Sequence, residues 1–289
     1  MTDAARITHL DDTRRAALAK SVAAHKYGHG HALVLSGPAG RTGAARLAAR
    51  AALRIGAGLV TVGAPRSAEA ECAAQLTAIM LRRIEEAPDL ADALGDARLN
   101  ALCLGPGLGA GRARALVPVA LGAEHRPAVV LDADALTAFS EAPDALFAML
   151  HGRVVLTPHG GEFARLFPDI AGRMTEGTDT RVEATRAAAQ RSGAVVLLKG
   201  AETVIAAPDG QVAIHAATGA RAAPWLATAG AGDVLAGMIS GLVARGLAPA
   251  EAAGTAAWLH VECARSFGPG LIAEDLAEEL PKVLRSLGV

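Results

Sequence analysis

The sequence is poor in aromatic residues and cysteines, and it carries almost no net charge. Aromatic residues make up 3% of the 289 residues, so a hydrophobic core must be built from Ala, Val, Leu and Ile. The three cysteines, Cys72, Cys103 and Cys263, lie far apart without metal-site spacing. They are expected to be buried thiols in a reducing compartment. The 28 basic and 29 acidic residues lack the basic excess of nucleic-acid-binding proteins.

Long apolar runs are also absent. No run reaches the roughly 20 residues that cross a bilayer, and the N-terminus has no signal-peptide core. We therefore expect a soluble cytoplasmic protein that contacts neither membrane nor nucleic acid. The length suits one large α/β domain or two small ones.

Short apolar segments alternate with Ala-rich segments along the chain. A strand, a helix of about four turns and another strand form a βαβ unit, which implies a parallel sheet. The pattern predicts one α/β domain with helices on both sides of the sheet. The predicted strands cover 32–37, 59–65, 101–107, 128–131, 154–157 and 194–198, followed by a hairpin with an Asp-Gly turn at 209–210.

Residues 1–31 are polar and mixed, and we predict a solvated lead-in segment before a domain at 32–289. Its 8–20 stretch is expected to form a short helix. His25, His29 and His31 lack the spacing and carboxylate partners of a metal site. Residues 66–99 are predicted to be helical, and Thr42 is a plausible N-cap for the helix after the first strand.

Polar or glycine-rich segments follow the strands, at the sheet edge where open α/β folds bind ligands. Gly105–Gly109 reads GPGLG and could form a binding loop or a plain tight turn. Asp132 and Asp134 could reach a metal ion or ligand, or could cap a helix. His159 and Glu162 could contact a ligand and a hydrated cation, or could be ordinary surface residues.

Two later segments indicate phosphate chemistry. Residues 229–237 read AGAGDVLAG, a small-residue turn that opens an apolar helix. Glycines and a helix N-terminus together form an anion cradle. Asp233 could take a proton from a hydroxyl group there, or could be a first-turn residue favoured by the helix dipole. Residues 199–203, at a strand–strand connection, suit a nucleotide's phosphate and sugar, or form a solvated hairpin edge.

Taken together, the motifs resemble the ribokinase-like superfamily and, within it, the ADP- or ATP-dependent NAD(P)H-hydrate dehydratases. The resemblance covers about 32–285 and implies a three-layer α/β/α sandwich with a mostly parallel central sheet. Seven motifs occur in order along one chain, which makes the resemblance specific. They are SGPAGRTGAARLAARAALRIGAGLVTV, LGPGLG, VVLDADAL, LTPHGGEF, LLKGAETVIAAPDG, LATAGAGDVLAGMISGL and FGPGLIAEDL.

The resemblance implies that a nucleotide phosphorylates the ring hydroxyl of the (6S)-hydrate of NADH or NADPH. Phosphate then leaves and restores the reduced cofactor. Magnesium is expected with ADP or ATP, and Glu162 would order its bound water. Asp233 would be the catalytic base. The implied substrate contacts are Ala44, Gly107, Gly109, His159 and Asp233. The implied nucleotide contacts are Lys199, Gly200, Ala201, Glu202, Thr203, Gly230 and Gly232.

The resemblance also implies a homo-oligomer, a tetramer, and a possible separate epimerase as partner. We expect either a stand-alone dehydratase or a separated half of a two-domain protein. Three departures stand out: Gly160 replaces a frequent Glu, no lysine occurs near 180, and Ala223-Pro224-Trp225 precedes LATAG. A small-molecule hydroxyl kinase of the same superfamily is the alternative function.

Overall fold

The computed structural model describes residues 4–7, 9–20 and 25–289. One ten-stranded sheet lies between two helical layers, in the order β1-β10-β9-β8-β7-β6-β5-β2-β3-β4. Within the described residues, β9 alone runs antiparallel to its neighbours. The strands are β1 (Ala5–Arg6), β2 (His31–Leu35), β3 (Leu59–Ala64), β4 (Met80–Arg83), β5 (Leu99–Leu104), β6 (Ala128–Leu131), β7 (Val154–Leu156), β8 (Val195–Leu198), β9 (Glu202–Ala206) and β10 (Val212–Ala216). The predicted three-layer fold is confirmed.

Helices cover both faces of the sheet because its central strands are apolar on both sides. In β2, Ala32 and Val34 belong to one core, whereas Leu33 and Leu35 belong to the other. The first core lies under α1 (Asp12–Leu18), α2 (Gly43–Arg54), α3 (Glu69–Gln75), α11 (Ala231–Ala244), α12 (Pro249–Phe267) and α13 (Ala273–Ser286). The second lies under α4 (Ala87–Leu94), α5 (Ala110–Leu121), α6 (Asp134–Thr137), α7 (Pro143–Phe147), α8 (Gly160–Leu166), α9 (Pro168–Thr175) and α10 (Arg181–Ser192).

Small residues bring α11 very close to α2. A Cβ on Gly237 would stand 2.1 Å from the Ala48 carbonyl oxygen, and one on Gly241 would stand 2.6 Å from that of Ala52. Glycine is therefore required at both positions, and this contact fixes the start of α11 relative to the start of α2. No helix in the described ranges is long and apolar enough to cross a membrane.

The 66–99 region differs from its prediction. It holds α3 and α4, but between them β4 pairs in parallel with β3 at the sheet edge. The β4 sequence, Met-Leu-Arg-Arg, has no fully buried residue and so lacks the apolar signature of the other strands. Thr42 occupies the N-cap position of α2, as predicted, but its hydroxyl donates to Glu71 and makes no capping hydrogen bond.

Part of the lead-in segment packs against the domain. β1 pairs in parallel with β10, and Ile7 and Leu10 are buried in the first core. The helix predicted at 8–20 is α1, although residue 8 lies outside the described residues. The solvated description is wrong for His31, which belongs to β2 and whose ring lies 2.8 Å from the Thr61 hydroxyl. The division at residue 31 stays a prediction.

Candidate active site

The candidate site lies where β5, β6, β7 and β8 end. These strands are parallel neighbours in the sheet, so the loops that follow them meet at one edge. The N-terminus of α11 reaches the same edge. The sheet order therefore gathers the 105–109, 132–134, 157–162 and 199–203 loops at one edge, where Asp132, Asp134 and Lys199 act on the pKa of Asp233.

Asp233 is the third residue of α11 and is partly buried. Burial, and after it the negative charges of Asp132 and Asp134, raise the pKa of its carboxyl group to about 6, against the opposing charge of Lys199. Within the described residues, the carboxylate makes no hydrogen bond or ion pair. An uncommitted carboxylate with a pKa near neutrality has the properties of a general base.

Lys199 and Asp132 form a nearly buried ion pair beside Asp233. The Lys199 Nζ atom lies 2.7 Å from the Asp132 Oδ1 atom, with side chains 21% and 2% exposed. A Cβ on Gly232 would stand 3.5 Å from Nζ, so the ammonium group faces the first turn of α11. The pair therefore fixes a positive charge where the helix amides begin.

The GPGLG loop packs against the turn that opens α2. A Cβ on Gly37 would stand 1.9 Å from the Gly107 carbonyl oxygen. Gly107 has a φ of +64°, and a Cβ there would lie 3.3 Å from the Ala44 Cβ. The structure thus brings together two residues predicted to contact the substrate, Ala44 and Gly107.

Asp134 ties this loop to the rest of the site. Its carboxylate accepts a 2.7 Å hydrogen bond from the Gly109 amide and lies 3.3 Å from an Arg41 guanidinium nitrogen. These contacts brace the Gly109 turn, a role that was not predicted for Asp134. Because Asp134 also acts on the pKa of Asp233, the Gly109 turn is part of the same site.

His159 and Glu162 form the capping box of α8. The His159 Nδ1 atom accepts from the Gly161 amide at 2.9 Å, and Glu162 accepts from the His159 amide at 2.9 Å. The Glu162 carboxylate is buried, whereas the His159 ring is 55% exposed. The other ring nitrogen, Nε2, lies 3.5 Å from the Glu162 Oε1 atom, so both nitrogens of the ring face the capping box.

A cavity of about 480 Å³ lies between the β8–β9 connection and the start of α11. A nucleoside diphosphate needs a pocket of this order of size. The lining includes Lys199, Gly200, Ala201, Thr203 and Gly232, all predicted to bind the nucleotide. Two other predicted contacts lie apart from it. Glu202 faces Arg6 at 3.5 Å, and Gly230 stands against Leu47 and Ala273.

Several side chains that support the site were not predicted from the sequence. The Arg181 guanidinium donates to the carbonyl oxygens of Leu198, Lys199 and Glu202, and so braces the β8–β9 connection. His260 lies 2.9 Å from the Ala231 carbonyl oxygen, and burial lowers its pKa to about 4. Asp132 was predicted to be a ligand or a helix cap. Its ion pair with Lys199 was not predicted, because that pair depends on the order of the strands in the sheet. Neither Arg181 nor His260 lies in one of the seven motifs.

The mostly parallel sheet with helices on both faces, and the cavity at its carboxyl edge, give the chain an α/β architecture with the ribokinase-like fold. The chain belongs to the NAD(P)H-hydrate dehydratase family, whose model matches residues 32–284. The family predicted from the seven motifs is thus confirmed.

The relatives include proteins of two lengths. The bifunctional NAD(P)H-hydrate repair enzyme of Moorella thermoacetica is 44% identical over 282 residues, covering 93% of this chain and 52% of that protein. The chain thus spans about half the length of the first curated relatives it matches. The ADP-dependent (S)-NAD(P)H-hydrate dehydratase of Neisseria meningitidis is 37% identical over 275 residues, covering 90% of this chain and 86% of that protein.

A solved structure has the same architecture. The ADP/ATP-dependent NAD(P)H-hydrate dehydratase from Bacillus subtilis, co-crystallised with ATP and Mg²⁺, superposes with a TM-score of 0.75 at 30% identity. The similarity covers 95% of this chain and 96% of that one.

Proposed function

We propose that the chain catalyses the ADP- or ATP-dependent dehydration of hydrated NADH and NADPH. The observation that carries this proposal is the carboxylate of Asp233. It is partly buried, makes no hydrogen bond or ion pair within the described residues, and has a pKa raised to about 6. A first-turn aspartate that served only the helix dipole would have its charged form stabilised and its pKa lowered, whereas the pKa of Asp233 is raised.

In the proposed reaction, Asp233 takes the proton of the ring hydroxyl. The hydroxyl oxygen attacks the terminal phosphoryl group of the nucleotide at the same time. The P–O bond to the nucleotide breaks, and AMP leaves when ADP is the donor. The phosphate ester on the ring then departs with its C–O bonding electrons. Loss of a proton from the neighbouring ring carbon restores the double bond. Phosphate is a far better leaving group than hydroxide, which is why the nucleotide is consumed.

The chain supplies charge stabilisation for the phosphoryl group from two sources. The first amides of α11 point toward the turn at 229–232, and a helix N-terminus favours anions. The Lys199 ammonium group lies beside that turn and is held there by Asp132. Fixed donors of this kind act without reorganisation as charge develops. The substrate ring would lie by Ala44, Gly107, Gly109 and His159, and the nucleotide in the cavity that Lys199, Gly200, Ala201, Thr203 and Gly232 line.

The acidic side chains at the site, Asp132, Asp134 and Glu162, fit a magnesium ion that is held chiefly by the phosphates of the nucleotide. Asp132 and Asp134 raise the pKa of Asp233, which indicates negative charge beyond what Lys199 offsets. No three His, Cys, Asp or Glu side chains in the described part of the chain converge on one metal position. Mg²⁺ keeps several waters and binds through substrate phosphates, and Glu162 would contact it through water. The ion would neutralise charge on the nucleotide phosphates.

The test is an absorbance assay with the purified (6S)-hydrate, Mg²⁺ and either ADP or ATP. We expect recovery of the reduced-nicotinamide absorbance only when the nucleotide is present. Running both donors on both hydrates defines the donor and cofactor preferences. If absorbance stays flat while phosphate is transferred to another alcohol, the chain is a hydroxyl kinase and the proposal is wrong.

The proposal extends to the setting of the reaction. We expect it in the cytoplasm, where the three buried free thiols of Cys72, Cys103 and Cys263 would stay reduced. An epimerase would convert the unreactive hydrate epimer into the substrate. A homotetramer is the proposed assembly, and light scattering of the purified protein tests it.

A further inference from the structure

A second concavity opens on the other side of the α11 N-terminus. It has a volume of about 840 Å³ and lies between α2, the segment before β4, and α13. We call it the α2–α13 groove. Its lining includes Gly43, Arg46, Leu47, Arg50, Thr77 and Glu274.

The groove and the 480 Å³ cavity are separated by the turn that carries Asp233. Gly232 lines the cavity, whereas a Cβ on Gly230 would stand 2.8 Å from the Leu47 Cδ1 atom of the groove. The groove also begins at Gly43, next to Ala44. The Gly230–Gly232 turn, next to Asp233, thus separates two concavities that are each large enough for a nucleotide.

Arg46 is the uncommitted charge in the groove. Arg50 and Arg54 both pair with Glu278 on α13, but the side chain of Arg46 makes no hydrogen bond or ion pair within the described residues. Its Nε atom is buried without a partner, although a buried guanidinium nitrogen is normally satisfied.

The negative group near Arg46 is already engaged. Glu71 accepts hydrogen bonds from the Thr42 hydroxyl and the Gly40 amide. These bonds, in that order, lower the pKa of the Glu71 carboxyl group, and the charge of Arg46 lowers it further. Glu71 therefore leaves the guanidinium of Arg46 available to an anion that enters the groove.

The position of the groove indicates where the non-reacting part of the substrate binds, an inference that rests on the proposed function. A hydrated NAD(P)H is a dinucleotide, so a diphosphate and a second nucleoside extend from the ring that reacts at Asp233. The donor nucleotide takes the cavity on one side, and the groove on the other side begins beside the ring-contacting residues. α2 runs roughly 16 Å from Gly43 to Arg54 along the groove. We propose that the α2–α13 groove binds the distal nucleotide of the substrate and that Arg46 contacts one of its phosphates.

The test compares Arg46→Gln with Arg153→Gln, an exposed arginine at the start of β7 on the opposite sheet edge. We expect Arg46→Gln to raise the KM for the hydrate about ten- to hundredfold, the scale of one charge-assisted phosphate contact. Its kcat and its KM for the nucleotide donor should match those of the wild type. Turnover of the hydrated reduced mononucleotide, which lacks the distal half, should be equal in the two proteins.

Binding of NADPH and NADH, followed by their fluorescence, provides a readout that needs no turnover. Weaker binding of both by Arg46→Gln places the contact on the diphosphate, and weaker binding of NADPH alone places it on the 2′-phosphate. Unchanged binding and KM for both cofactors in a folded Arg46→Gln protein would overturn the inference. A wild-type protein that binds NADPH through Arg46 but does not turn over the hydrate would instead overturn the proposed function.

Discussion

At the scale of single residues, the site depends on one carboxylate kept out of its ordinary pKa range. Most acidic residues in this chain that have shifted pKa values are lowered by arginine or backbone partners, as Asp96 and Asp169 are. Asp233 has no such partner and is raised to about 6 by burial and by Asp132 and Asp134. Carboxyl groups perturbed in this direction cluster at functional sites.

Replacing the carboxylate tests its role directly. We expect Asp233→Ala to lower kcat by at least about a hundredfold, the scale of a lost general base. Nucleotide affinity, measured by calorimetry, should be retained because Lys199 and the α11 amides remain. A variant that turns over at the wild-type rate would contradict the assignment.

The pH profile should report the same group. A base must be deprotonated, so kcat/KM should fall tenfold per pH unit below about 6, the pKa of the unliganded Asp233. The measurement is kcat/KM from pH 4.5 to 8, with stability checked at each pH. An acid limb centred near pH 4 would mean that burial does not control this carboxylate.

The raised pKa of Asp233 also makes the free energy of unfolding depend on pH. Between the ordinary value of 3.8 and about 6, the folded state holds a proton that the unfolded state has released. Stability therefore falls as pH rises through this window and stays lower above it. Because Asn cannot ionise, we expect Asp233→Asn to be more stable than the wild type by roughly 1–2 kcal/mol at pH 7.5, and by about half of that at pH 5.

Urea unfolding of both proteins at pH 5 and pH 7.5 measures this difference in the free energy of unfolding. Other titrating groups are common to the two proteins and cancel in the comparison. An equal gap at both pH values would show that the variant acts through packing rather than through the charge of Asp233.

At the scale of elements, the sequence predicts what is local and misses what depends on neighbours. The central strands are short apolar runs bounded by glycine or proline, and they fall where predicted. β4 was missed because its exposed Met-Leu-Arg-Arg sequence is specified by pairing with β3, not by its own pattern. Likewise, the Thr42 hydroxyl donates to Glu71 of α3 instead of capping α2, and this partner lies too far along the chain to be recognised from the local sequence.

The same distinction applies to the site. The glycine-rich turns and Asp233 were recognisable from their motifs, because close backbone approach requires glycine locally. The Lys199–Asp132 pair was not, since it forms across β7 and requires the sheet order. The support of the β8–β9 connection by Arg181 was also unrecognisable from spacing.

The first turn of α11 can be tested as an element. A Cβ on Gly232 has ordinary space, with the Lys199 Nζ atom at 3.5 Å, but a branched side chain would enter the cavity. We expect Gly232→Val to weaken ADP binding at least about tenfold by calorimetry, and Gly232→Ala to have a smaller effect.

Gly172→Val is the matched control, because this helical glycine of α9 also has free space around its Cβ position. It carries the same cost of a β-branched residue in a helix, far from the cavity. Equal ADP affinity in Gly232→Val and the control would mean that the start of α11 does not hold the nucleotide.

At the scale of the whole molecule, Arg245 joins the lead-in segment to the domain. Its guanidinium group follows α11 and donates to Ile55 and to three carbonyl oxygens at the end of α1, those of Ala17, Leu18 and Ala19. Leu18 is buried in the same core as α11. The lead-in therefore contributes to the stability of the domain that it precedes.

We expect Arg245→Ala to lower the free energy of unfolding by roughly 1–3 kcal/mol, because it leaves partly buried carbonyl groups without a donor. Arg153→Ala, which removes an exposed arginine, should change it by less than about 0.5 kcal/mol. Denaturant unfolding measures both. If Arg245→Ala is as stable as the control, α1 docks on the domain without help from the guanidinium group.

The reversal of β9 has one more consequence. The parallel strands β2 to β7 are followed by long connections, whereas β8 passes into β9 through three residues, and the strands at both ends of that connection are paired in the sheet. The Lys199 amide is bonded to Pro158, the Ala201 carbonyl to Ala217, and Arg181 holds the backbone between. The backbone that would contact the nucleotide is therefore preorganised. Nucleotide binding should proceed without the loss of conformational entropy that accompanies the ordering of a flexible loop.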